Sequence, residues 1–208
     1  MISSPKLVLA SGSPRRRELL DGLGLIFEVR PVEVDETAQE GEDPATYVER
    51  LARVKATAEA RAGELVLAAD TTVVLEGELL GKPADPEEAC TMLRRLAGRE
   101  HTVVTGVAAY DAAAQRLEAG SARTRVRIAA LSEAEIDWYV ATGEPLDKAG
   151  AYAIQGLGAL FVEAVEGNYT NVVGLPLPLT YRLVARSGYD LRDFRRPLRA
   201  PSAEPVNG

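Results

Sequence analysis

"KLVLASGSPRRRELLDGLG", residues 6–24, reads as a strand, a tight turn and a helix in immediate succession. The apolar run at residues 7–10 breaks at Ser11-Gly12-Ser13. Pro14 then takes the first helical position, where its missing N–H is no loss. Strand, turn and helix together are the building unit of an α/β sheet. The charge pattern is unusual. Arg15, Arg16 and Arg17 crowd the first turn, where the helix dipole is positive and acidic residues are favoured. Backbone N–H groups at such a turn form an anion site, and cations beside them converge on an anion once it is bound. The alternative is a capped helix with solvated arginines, each costing about 0.3–1 kcal/mol against the dipole.

The alternation continues outward from this unit. Further strand-like segments lie at 25–29, 65–69, 72–75, 102–110, 121–130, 159–165 and 169–173. Helical ones lie at 14–23, 44–62, 86–96, 133–141 and 176–187. Ser13, Asp43 and Asp85 precede prolines as expected caps, and Ser132 with Glu135 makes a capping box. Arg123, Arg125 and Arg127 alternate with Thr124, Val126 and Ile128, so they share one face of a strand. Paired with residues 101–110 across the polar stretch 111–120, that strand makes a long antiparallel hairpin. The expected fold is α/β: a mixed twisted sheet with flanking helices. It forms one domain over residues 1–196, and the Pro- and Ala-rich residues 197–208 read as a disordered tail.

With 46% hydrophobic and 26% charged residues, the chain is an ordinary globular one. No apolar stretch is long enough to span a bilayer and the start lacks a signal-peptide layout, so the cytoplasm is expected. A net charge of −7 argues against loose binding to nucleic acid or an anionic membrane. The arginine face of residues 123–127 reads as solvated or as a subunit contact. The single cysteine, Cys90, excludes an internal disulfide and a cysteine metal cluster. His101, the one histidine, sits at a strand end, which leaves acid–base work to carboxylates.

The candidate carboxylates are few. In "LVLAADTTVVLEGELLGKP", residues 65–83, Asp70 closes an apolar strand at the sheet edge where α/β proteins bind ligands. It needs a cationic partner there, unless it only caps the strand end through Thr72. Lys82 returns to the same edge after a hairpin through Glu76-Gly77. "GELLGKP" is no phosphate loop, because Pro83 stands where Ser or Thr must bind the metal. In the acidic loop 31–44, Asp35 and Glu36 could hold a divalent ion together with Asp70; oxygen ligands suit Mg²⁺ or Mn²⁺. Lys55 lies on the apolar stripe of its helix with Val48 and Leu51, so it either snorkels outward or reaches into a phosphate site. Gln155 carries an amide that suits a base edge or a turn backbone.

Three separated segments, "LASGSPRRRELL", "AADTTVV" with "GKP", and "DKAGAYAIQGLGALFVE" with "GNYTNVVGLPL", resemble the Maf family of nucleoside triphosphate pyrophosphatases. The resemblance covers about residues 6–189. It implies an elongated fold related to the inosine triphosphate pyrophosphatases, with two lobes around a cleft. It also implies metal-dependent hydrolysis of a nucleoside triphosphate to the monophosphate and pyrophosphate. "KAGAYAIQG" is similar to the dTTP/UTP branch, in which Arg15, Thr71 and Gln155 match the positions that set base preference. Asp70 matches the proton acceptor, and Ser11, Arg16, Glu36, Lys55 and Lys82 fall on active-site positions. Arg15, Arg16, the turn from Ser11 to Ser13, Lys55 and Lys82 would then hold the triphosphate. Glu36 would hold the metal, and Asp70 would act as base or as a second metal ligand. A homodimer and a part in restraining septum formation come with the family. The rival reading is a non-catalytic, nucleotide-binding regulator of division, against which the presence of both Glu36 and Asp70 counts.

Overall fold

The computed structural model describes residues 5–197, so the tail expected from residue 197 lies outside them but for Pro197 itself. Seven strands form one sheet: β1 (Lys6–Leu9), β2 (Glu28–Val29), β3 (Glu64–Leu75), β4 (Glu78–Leu80), β5 (Glu100–Asp111), β6 (Arg116–Ile128) and β7 (Val162–Glu166). Their order is β2-β1-β3-β5-β6-β7, with β4 also on β3. β1 runs parallel to β2 and β3, and all other pairs are antiparallel. The helices are α1 (Pro14–Gly22), α2 (Pro44–Thr57), α3 (Pro86–Leu96), α4 (Glu133–Ala141), α5 (Tyr169–Val173) and α6 (Leu177–Arg186). Among the described residues no helix is long and apolar enough to cross a membrane.

β3 organises the molecule. One of its edges pairs with β5 without a break from Leu65 to Val74. The other pairs with β1 as far as Leu67 and with β4 from Val73. Residues 68–72 are thus left without a strand partner on that edge, and Asp70 lies in the gap. This corrects the expectation of two strands with Asp70 at the end of the first. The ladder to β5 continues through Asp70 opposite Gly106 and Thr71 opposite Thr105, so the backbone stays extended across the polar residues. It is β1 that ends there.

Strand alternation sorts the core. Val8, Val66, Ala68 and Ala108 pack on Ala52 and Ala56 of α2. Leu7, Leu9, Leu65 and Leu67 face the other way, with Leu20 of α1 and Leu183 of α6. Beyond the gap, Val73, Leu75 and Leu80 pack with Leu93 and Leu96 of α3 and Ile136 and Tyr139 of α4. Each such large side chain contributes about 1.5–3 kcal/mol by leaving water. The sheet therefore carries cores on either side of the gap, which lies between two lobes. α2 comes unusually close at Gly106: a Cβ there would stand 2.3 Å from the Val48 carbonyl oxygen, so only glycine admits the helix.

Several local expectations change. Residues 169–173 read as a strand because Tyr, Thr and Val are β-formers. They form α5 instead, capped by the Asn168 side chain and ended by Gly174 at φ 118°. Residues 159–165 divide into a 3₁₀ turn, Gly156–Phe161, and β7. Of 25–29 only Glu28–Val29 is strand, and α2 stops at Thr57. The long hairpin is tighter than expected, pairing through to Asp111 opposite Arg116. Asp43, Asp85 and Ser132 cap their helices as expected. Ser13 does not; its side chain makes no cap bond, and the turn closes instead through the Ser13 N–H onto Ser11 Oγ at 3.2 Å. Arg123 and Arg125 lie on the exposed face of β6, paired with Asp43 and with Glu100 and Glu166.

Candidate active site

A cleft of about 660 Å³ opens at the gap on β3, between the end of β1 and the start of β4. Ser11, Ser13, Arg15, Arg16, Glu36, Lys55, Asp70, Thr71, Lys82 and Gln155 all line it. They come from both lobes and from six separate stretches of chain.

The α1 wall answers the question of the crowded arginines. The helical repeat turns two of them inward and one away. Arg17 is exposed and pairs with Asp21 on its own helix. Arg16 is partly buried, and its guanidinium donates to the Gly174 carbonyl at 2.8 Å, to Ser11 Oγ at 3.1 Å and to Thr71 Oγ1 at 3.0 Å. Burial lowers its pKa below the ordinary arginine value, opposed by the charge of Asp70, and it stays a cation. Thr71 is held in turn by Thr105 Oγ1 at 2.9 Å. Arg15 crosses the mouth to Asp147 at 3.3 Å. With no side-chain cap on α1, the first-turn N–H groups beside these arginines are free for an anion.

The floor is made by Lys55. Because α2 seats so closely on Gly106, this lysine reaches inward, and its Nζ donates to Asp70 Oδ1 and Glu36 Oε1 at 2.6 Å each. Burial raises the Glu36 pKa, but the Lys55 bond and the charges of Lys82 and Arg16 outweigh it and leave the carboxylate below its ordinary value. Among the described residues, Asp70 Oδ2 and Glu36 Oε2 accept no hydrogen bond. Tyr47, which the sequence did not single out, donates to the Glu36 carbonyl at 2.9 Å and ties the acidic loop to α2. Asp35 does not join the site. Its carboxylate turns back to accept from the Thr37 N–H at 2.9 Å, as short acidic side chains do in turns. Lys82 is exposed on the opposite lip, delivered by the β3–β4 hairpin, whose Glu76 and Gly77 both have positive φ (53° and 89°).

The far end of the cleft holds Gln155. Among the described residues its amide makes no hydrogen bond, so it is not the backbone-bonded turn glutamine that the sequence also allowed. Lys148 lies near, its ammonium fixed on the Glu144 carbonyl at 2.7 Å and on Asp147 Oδ1 at 2.5 Å. His101 belongs to the structure and not to the chemistry. It is buried, burial lowers it to about 4, and its Nε2 lies 2.7 Å from the Tyr152 hydroxyl.

The donor set fits a hard divalent cation. Two carboxylate oxygens already converge on one positive charge, and each group keeps a free oxygen. Among the described residues no three His, Cys, Asp or Glu side chains group to hold a metal. The remaining ligands would therefore be water and substrate oxygens, the usual arrangement for Mg²⁺.

The profile of the Maf-like protein family matches residues 6–187. The chain belongs to the Maf family. The dTTP/UTP pyrophosphatase of Anaeromyxobacter dehalogenans (strain 2CP-C) is 57% identical over 190 residues, 90% of this chain and 97% of the relative. The dTTP/UTP pyrophosphatase of Myxococcus xanthus is 56% identical over 187 residues, 89% of this chain and 94% of its own. A looser likeness runs to the Staphylococcus aureus Ham1 protein, 17% identical with a TM-score of 0.42 over 60% of this chain and 72% of that one. In this Maf-family chain the quoted motifs are far apart in sequence, and the gap on β3 is where they converge.

Proposed function

We propose that the protein hydrolyses nucleoside triphosphates, dTTP and UTP foremost, to the monophosphate and pyrophosphate. One observation carries this reading. A single cleft joins an uncapped helix start with two arginines to a buried lysine shared by two carboxylates. The first suits a polyphosphate and the second suits general-base chemistry. The names of the Anaeromyxobacter and Myxococcus relatives support the same activity.

In this mechanism the first-turn N–H groups of α1, Arg15, Arg16 and Lys82 hold the triphosphate. A divalent ion held by Glu36 and Asp70 would neutralise phosphate charge and make bound water more acidic. Asp70 takes the proton of the attacking water at its free Oδ2 as the water oxygen bonds to the α-phosphorus. The bond from that phosphorus to the bridging oxygen breaks, and pyrophosphate leaves with the electron pair. Its charge is met by the cations on the lips, so most of the acceleration is positioning and electrostatics. Lys55 holds both carboxylates aimed at one point. Gln155 pairs its amide with the carbonyl and N–H edge common to uracil and thymine, which accounts for one site accepting both bases.

Pyrophosphate release from a panel of nucleoside triphosphates, with Mg²⁺ or Mn²⁺ and with chelator, tests the proposal. Metal-dependent release strongest for dTTP and UTP is the expected result. Strong release from another base would keep the chemistry and discard the base assignment. No release from any would leave a nucleotide-binding regulator.

A further inference from the structure

We propose that Glu144 and Tyr139 are positioning residues that set base selectivity by clamping the loop that carries Gln155. The proposal rests on the reading of Gln155 above and extends it to two side chains that do not line the cleft. Gln155 has no hydrogen bond of its own among the described residues, so the backbone around it must fix where its amide points.

That backbone is held from both sides by one pair. The Glu144 carboxylate accepts the Leu157 N–H at 3.0 Å through Oε2 and the Gly158 N–H at 2.9 Å through Oε1. Oε1 also accepts the Tyr139 hydroxyl at 2.8 Å. The same Tyr139 oxygen accepts the Ala153 N–H at 3.1 Å. The residues before and after Gln155 thus hang on two linked side chains.

The glycines of "IQGLG" record how close the clamp comes. A Cβ on Gly156 would stand 2.5 Å from Glu144 Oε2, and the residue also has φ 67°. A Cβ on Gly158 would stand 2.4 Å from the Tyr139 oxygen. The loop has little other anchorage on its outer side, where Leu157 is 39% and Leu160 is 72% exposed. Tyr139 is itself fully buried and edge-on to Phe161 at 5.4 Å between centroids. An ionised carboxylate is the required acceptor, because three donors point at its two oxygens. The bonds to Gly158, Leu157 and Tyr139 overcome its burial and hold its pKa below the ordinary value.

The test compares kcat and KM for dTTP, UTP and CTP in the wild type, Glu144→Gln, Tyr139→Phe and Gln155→Ala. Both clamp variants preserve shape, and thermal melting checks that they fold. Glu144→Gln turns an amide NH₂ toward backbone donors, while Tyr139→Phe removes the shared oxygen. Each is expected to lower the preference for dTTP and UTP over CTP about tenfold, mainly through KM, with kcat nearly unchanged. Amide hydrogen exchange over residues 153–158 should rise in both. A merely structural role would lower turnover of all three nucleotides alike. Unchanged selectivity in Glu144→Gln and Tyr139→Phe overturns the proposal, whatever Gln155→Ala does. Unchanged selectivity in Gln155→Ala alone overturns only the assignment of Gln155 as the base reader.

Discussion

Arg30 and Lys55 each lie between two carboxylates beside β3, Arg30 at the strand's start and Lys55 near its middle. Arg30 is saturated. Its Nη1 and Nη2 grip Glu64 at 2.8 Å each, its Nε and Nη2 reach Glu28 at 3.2 and 2.8 Å, and Nη1 also meets the Glu59 carbonyl at 3.1 Å. That uses all five guanidinium donors. Lys55 uses two of its three on Glu36 and Asp70, and both carboxylates keep an oxygen free toward the cleft. The chemistry of the two groups is the same and their unused valence is not. A closed set of hydrogen bonds fastens the parallel edge of the sheet; an open set at a cavity is available to a ligand.

The comparison breaks first at Asp70. Asp70→Asn keeps the shape and the Lys55 contact but cannot take a proton. Turnover should fall by about 10³-fold or more, with nucleotide binding still measurable by calorimetry. Near-normal turnover would remove Asp70 from the mechanism and make the open group a structural pair like the other. Lys55→Met comes next. Turnover should fall about 10²-fold, because the two carboxylates lose the charge that aims them. The melting temperature should fall as well, because Asp70 is buried and is left without its cation.

Arg30→Met should cost stability alone. kcat per folded molecule should stay within about twofold, while the unfolding free energy measured in urea falls by about 2 kcal/mol. Nearly all of that loss belongs to Glu64, because the Glu28 side chain is 35% exposed and its pairing is screened. A loss of activity without a loss of stability would erase the distinction between the two groups.

What the sequence disclosed follows the range of each interaction. The caps at Asp43, Asp85 and Ser132 were legible because cap and N–H lie within one turn. The inward arginines were legible as a conflict with the helix dipole. Lys55 showed as a charge on an apolar stripe, although the choice between snorkelling and reaching inward needed the approach of α2 at Gly106. The continuity of β3 was hidden, because the pairing with β5 that carries it through Asp70 is set by residues more than thirty positions away. α5 was hidden by its β-forming composition, which the Asn168 cap and Gly174 override. Glu144 and Arg30 gave no local sign at all. The backbone groups that Glu144 holds are 13 and 14 residues away, and the buried carboxylate that Arg30 grips is 34 away.

The smallest expected effect is a difference of slopes, and it tests whether Arg30 acts by pairing or by packing. The bond from Arg30 depresses Glu64 from an ordinary value of 4.5 to about 2 in the folded protein. A folded pKa below the unfolded one means that the stabilisation is complete above about pH 4.5 and is lost as pH falls toward about 2. Other depressed carboxylates, Glu42 beside Arg50 among them, destabilise wild type and variant alike on acidification and cancel in the difference. Urea unfolding of wild type and Arg30→Met between about pH 2 and pH 6 should therefore give curves that converge in acid. The gap of about 2 kcal/mol near pH 6 should shrink to almost nothing near pH 2. A gap that stays constant would mean that the guanidinium stem contributes by covering apolar surface, and that the closed group holds the sheet edge without its charges.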